Sequence, residues 1–108
     1  MDIHESDWRV FRRFHSIALE RFCKRVLEEV RETAACETDY HDCYRKVYEL
    51  ILNHDKRMAA AFDDPRRSNA FLLLANIIDE ELLTAEELKQ FSQEAQARIK
   101  TISQLRSS

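Results

Sequence analysis

The sequence predicts an all-α fold, a single domain built as a bundle of four to five helices. Three observations carry that expectation. The 108-residue chain contains no glycine and one proline, so the φ > 0 positions of hairpin turns and phosphate-cradling loops lack their usual residue. Charged residues make up 34% of the chain beside 44% apolar residues, a balance that suits helices with solvated faces. The densest apolar run, Phe71 to Ile78, is broken only by Asn76. It is too short for a bilayer, which needs about 20 apolar residues, and reads as a rod sheathed by its neighbours. Residues 1–108 are expected to form one domain, long enough to bury roughly two-thirds of its unfolded surface without a metal or disulfide.

Residues 1–6 read as a frayed lead-in, with Ser6 or Asp7 capping a first helix that runs to about Ala34. Its apolar stripe starts at Phe11, Phe14, Ala18 and Phe22, then drifts to Leu19, Val26 and Val30. Such drift implies that the two halves meet different neighbours. Thr38 offers an N-cap for the second helix, with Asp39 in its first turn. There Tyr40, Tyr44, Val47, Ile51, His54, Met58 and Ala61 alternate steps of four and three, a seam for lengthwise packing. The short connection makes these two helices a long antiparallel hairpin. The second helix reads as continuous to Phe62, with a kink at Asn53-His54-Asp55 as the alternative.

Asp64 as N-cap and Pro65 at the first helical position mark the start of a central apolar helix over 65–82. Asn69, Asn76 and Asp79 are its narrow polar strip. Thr84-Ala85-Glu86-Glu87 is a capping box, with Leu83 and Leu88 placed for a hydrophobic staple, and that short helix is expected to end near Phe91. Ser92 caps a last helix over 93–105 that turns Ala95, Ile99 and Ile102 inward, and residues 105–108 are expected to fray.

Two stretches resemble sequence words of small, uncharacterised all-helical bacterial proteins. They are Asp7-Trp8-Arg9-Val10-Phe11 through Ala18-Leu19-Glu20-Arg21-Phe22-Cys23, and Ala61-Phe62-Asp63-Asp64 with Arg66-Arg67-Ser68. The resemblance implies a compact bacterial helical protein and brings no activity or functional residue with it.

The chemistry of the chain is mostly negative evidence. No nucleophile elbow, CxxC, HxxxH or HExxH spacing is present, and no Glu-x-x-His pair of the di-iron kind. Cys36-x4-His41-x-Cys43 has no matching second half, and His15, His54, Cys23 and Cys43 read as packed histidines and thiols. No cofactor is expected, and enzymatic activity ranks below binding. Three cysteines, an odd number, and the lack of a secretory signal suit the cytoplasm.

Charge is unevenly spread despite a net −3. Arg9, Arg12, Arg13, Arg21, Lys24 and Arg25 face Glu20 alone over residues 9–25, whereas Asp79, Glu80, Glu81, Glu86, Glu87 and Glu94 face Lys89 alone over residues 79–94. The two segments complement each other within the fold or across a dimer, or the first is a basic face for an acidic partner. Arg66 and Arg67, in the predicted first turn of the central helix, oppose its dipole at about 0.3–1 kcal/mol each. Pairing with Asp63, Asp64 or the acidic segment offsets that, or an anion does.

The leading expectation is therefore a small soluble protein–protein interaction or adaptor module, without membrane association. A homodimer through a seam of Tyr40, Tyr44, Val47, Ile51 and Met58 is one form of it. The alternative is an electrostatic nucleic-acid or anion binder using Arg9, Arg12, Arg13, Lys24, Arg25, Arg66 and Arg67.

Overall fold

The computed structural model describes residues 3–107, of which Ser107 is described by its backbone alone. Five helices follow one another: α1 (Glu5–Ala34), α2 (Tyr40–Phe62), α3 (Ala70–Asp79), α4 (Ala85–Leu88) and α5 (Gln93–Ser107). The molecule is elongated, 54 × 28 × 24 Å. At its base the first half of α1 and the end of α2 pack with α3 and α5. Toward the other end α1 and α2 continue as a two-helix hairpin. None of the helices is long and apolar enough to cross a membrane.

The core gathers at the base. Phe11, Phe14, Ala18 and Phe22 of α1 bury against Phe62 of α2, Leu73, Leu74 and Ile77 of α3, and Phe91, Ala95 and Ile99. The apolar run is thus a sheathed rod over most of its circumference, but not all: Leu72 is 52% exposed. α3 is also shorter than the 65–82 predicted. Asp64 adopts a left-handed conformation (φ 50°) instead of capping a helix. The chain then makes a turn in which the Arg66 amide donates to Asn69 Oδ1 at 2.8 Å and Asn69 Nδ2 donates to the Asp64 carbonyl at 3.0 Å. Proline's fixed φ serves a turn as well as a helix start, and Asn69 becomes the residue before the helix.

Other helix ends also depart from expectation. Asp7 is not a cap but a buried cross-link: its carboxylate accepts from the Ser92 amide at 2.8 Å and from Ser92 Oγ at 2.6 Å. Ser92 Oγ in turn accepts from the Ala95 amide, the capping role expected of it. Asp39, not Thr38, precedes α2 and is left-handed (φ 56°). α2 is unbroken through Asn53-His54-Asp55. α3 ends in a Schellman motif, with the Glu81 amide donating to the Ile78 carbonyl and the Leu82 amide to that of Ile77. Glu81 carries φ 57° where glycine is usual, because the chain has none to offer. The Thr84–Glu87 capping box forms with both of its bonds, and α4 stops at Leu88, short of Phe91. α5 runs on to Ser107, past the 105 expected as its end; Ser108 and residues 1–2 lie outside the described residues.

The charge imbalance resolves in part inside the fold, through Arg21 and Arg25. Arg21 forks onto Glu87 at 2.7 and 2.9 Å and also reaches the Leu82 carbonyl at 2.8 Å. Arg25 binds Glu80 at 3.0 Å and its carbonyl at 2.8 Å, and Arg57 joins the same carboxylate. These pairs fasten the hairpin to the α3–α4 corner. The Arg21 guanidinium and the Thr84 amide hold the Glu87 carboxyl down to about 2. Arg57, then Arg25, hold the Glu80 carboxyl below its ordinary range.

Candidate functional site

The ion pairs define a front face of the hairpin, the one covered by α3, α4 and α5. Successive residues of a helix are about 100° apart. On α1 the directions of Cys23 and Leu27 therefore average about 160° from those of Arg21 and Arg25. On α2, Ile51 and Asp55 average about 140° from Arg57. Both sets thus lie on the back face, away from the body. There the two helices enclose a groove of ≈ 260 Å³ lined by Phe22, Cys23, Val26, Leu27 and Val30 from α1 and by Ile51, His54, Asp55 and Met58 from α2.

Large apolar side chains of the hairpin stand exposed among the described residues, Leu27 and Ile51 of them lining the groove. Leu27 is 59% exposed, Tyr44 71% and Tyr48 57%, and Tyr40, Ile51 and Leu52 are exposed too. The seam predicted on α2 therefore divides. His54, Met58 and Val47 are half-buried and Ala61 is buried, while Tyr40, Tyr44 and Ile51 stand in the open. Cys43 and His54 are turned toward α1, where they meet Thr33 and Glu29, and they are set back from the open residues by part of a turn. The drift of the α1 stripe has the same origin. Phe11, Phe14 and Ala18 face the body, and the later Val26 and Val30 face the groove.

Sequence reasoning placed Val26 and Val30 on the drifting α1 stripe but missed Cys23 and Leu27 beside them, and the third tyrosine, Tyr48. The signal was present in Cys23-Leu27-Val30 at steps of four and three and in Tyr40-Tyr44-Tyr48 at steps of four. Each is a second apolar stripe beside the first, which a search for one seam per helix overlooks.

His54, Cys43 and His15 of the hairpin are engaged, and the exposed Asp55 also lines the groove. His54 Nε2 meets Glu29 Oε2 at 3.0 Å, and the His54 ring packs edge-on to Phe22 with centroids 6.0 Å apart. At the tip of the hairpin Cys43 Sγ donates to the Thr33 carbonyl at 3.0 Å, and the neighbouring Cys36 thiol, then burial, push the Cys43 thiol up. His15 Nε2 donates to the Phe62 carbonyl at 2.9 Å. Among the described residues no three His, Cys, Asp or Glu side chains converge as a metal site.

The seven basic residues considered for anion binding do not gather in one place. Arg9, Arg12, Arg13 and Lys24 are exposed along α1, and Arg13 lies over the Phe14 ring at 4.9 Å and bonds Gln90. Arg25 faces Glu80 on the front. Arg66 pairs with Asp64. Arg67 forks onto Glu5 at 3.1 and 3.2 Å and covers the Trp8 ring at 5.2 Å. Arg12 lines a shallow dent with Trp8, His15, Ser16 and Pro65.

No family model, curated protein or solved structure matches the chain, and the resemblance noted in the sequence brings no functional residue to this face.

Proposed function

We propose that the protein is a small interaction module that docks a partner through the back face of the α1–α2 hairpin. The observation behind this reading is the unfinished core at that face: an apolar groove flanked by Leu27, Tyr40, Tyr44, Tyr48 and Ile51, all exposed. Apolar side chains set together and left open mark interaction sites. Tyrosine suits such a site because it offers a large rigid face with a polar tip. Two parallel apolar walls leave the space that a third or fourth helix fills in a bundle. Three free cysteines fit a reducing cytosol for the module.

The electrostatic alternative has less behind it. Arg25, Arg66 and Arg67 already hold carboxylates, so an anion must displace a partner before it binds there.

Site-specific photocrosslinking tests the docking reading. A photoreactive phenylalanine analogue at Tyr44 or Tyr48 is expected to form one discrete protein adduct in cells, and the same analogue at Lys100 on α5 none. Equal labelling from all three positions, or none from the tyrosines, overturns it.

A further inference from the structure

Resting on that reading, we infer that the occupant of the back face is a second copy of this chain. The two hairpins lie antiparallel, tip over base, as a four-helix bundle about a two-fold axis near the level of Arg25 and Val26.

The face is self-complementary in charge only in that orientation. Arg9 stands eighteen residues, five helical turns, before Leu27, and Arg12 stands eleven before Cys23, so both share the groove's face of α1. Both arginines are exposed at the base, and Glu37 and Asp39 are exposed in the connection at the tip. These opposite charges lie on either side of the groove, Arg12 about 20 Å and Arg9 about 25 Å from its midpoint along α1. A two-fold at residues 25–26 sets α1 against α1 of the other copy so that facing positions sum to about 51. Arg12 then faces the Glu37–Asp39 connection, and Glu20 faces Arg31, both of these also exposed. A parallel pairing would place the acidic connections against each other, and like charges held together oppose association.

Shape agrees with charge. Arg21, Arg25 and Arg57 hold the α3–α4 corner on the front of the hairpin, so two copies approach through the backs of their hairpins, the Pro65 turn flanking Arg12 at each base. The overlap, from the level of Arg12 to that of Asp39, is roughly 40 Å long at 1.5 Å per residue and two helices wide. That footprint of roughly 800 Å² per partner is what stable interfaces need. Near the axis it contains Cys23, Leu27 and Ile51, with the exposed Asp55 the one carboxylate lining the groove there.

Sedimentation equilibrium on the full chain tests this. The expected mass is twice 12.9 kDa. Leu27 is exposed, so Leu27→Glu keeps the helical circular-dichroism spectrum, and it weakens the dimer by about a hundredfold or more because two carboxylates meet across the axis. Arg12→Glu, or Glu37→Arg with Asp39→Arg, each weakens it about threefold, and the combined reversal restores it. A monomeric mass at every accessible concentration overturns the proposal, as does a dimer indifferent to Leu27→Glu or a combined reversal that restores nothing. A monomer that still gives a discrete adduct to a different protein from Tyr44 overturns the second copy and leaves the docking reading standing. A monomer without adducts overturns both.

Discussion

The base of the molecule and the tip of its hairpin are built from the same two helices and differ in what covers them. At the base Phe11, Phe14, Ala18 and Phe22 are enclosed by α3 and by Phe91, Ala95 and Ile99, and no more than 7% of any of these side chains is exposed. At the tip Leu27, Tyr40, Tyr44 and Tyr48 are as apolar or aromatic, and are more than half exposed. Burial of apolar area is worth roughly 25 cal/mol per Å². The base has collected that stabilisation within one chain, whereas at the tip the same kind of area stays open to solvent. Polar satisfaction follows the same division. Among the described residues no buried side-chain nitrogen or oxygen lacks a partner, and Arg21, Arg25 and Arg57 tie the front of the hairpin to Glu80 and Glu87.

The contrast predicts how substitutions rank. Leu74, fully buried at the centre of the base, should lose about 3 kcal/mol on Leu74→Ala, read as a lower urea midpoint at unchanged m-value. Asp7→Ala strips the Ser92 amide and hydroxyl of their acceptor and should cost about 2 kcal/mol. Hydrogen exchange should then quicken in α5 ahead of α2, and uniform quickening would mean that Asp7 does not specifically tether α5.

The ion pairs give a pH-dependent term. The Glu87 carboxyl is held at about 2 in the folded protein, against an ordinary 4.5. A depressed folded value stabilises: the contribution is fully present above about pH 4.5 and fades as pH falls toward 2. Arg21 is half exposed, so solvent screens the pair, and Arg21→Gln should cost about 1 kcal/mol at neutral pH. The two proteins should converge in stability near pH 2; a constant gap down to that pH would assign the loss to packing instead of charge.

A smaller effect of opposite sign is expected at the Schellman turn. Glu81 holds φ 57°, and Glu81→Gly should raise stability by about 0.5–1 kcal/mol, seen as a higher melting temperature. Smallest of all, Tyr48→Ser at the tip should change monomer stability by under about 0.5 kcal/mol and still weaken association. A large loss of stability would show that the tip is part of the monomer's core and would remove the distinction between the two regions.

Much of the fold was legible because it rests on local chemistry. The all-helical class, the antiparallel hairpin, the Thr84–Glu87 box and the Ser92 cap each follow from residues a few positions apart. The start of α3 was misread because Asp64-Pro65 suits a turn and a helix equally, and the Asn69 side chain settles the choice by bonding back to both sides. The site was half legible. Tyr40, Tyr44 and Ile51 stood out as a periodic stripe, but periodicity alone does not tell a covered stripe from an open one.

The sequence by itself determined that the chain is helical, roughly where four of the five helices lie and which residues are apolar on each. Those are consequences of backbone sterics and of side-chain spacing at 3.6 residues per turn. Only the tertiary structure decided that α3 and α5 sheathe the base and leave the back of the hairpin bare, that Asp7 turns inward to Ser92, and that Arg21, Arg25 and Arg57 are committed to Glu80 and Glu87. These depend on contacts between residues from about twenty to more than eighty positions apart, whose pairing is set by which apolar faces can be covered at once, and no local pattern encodes that.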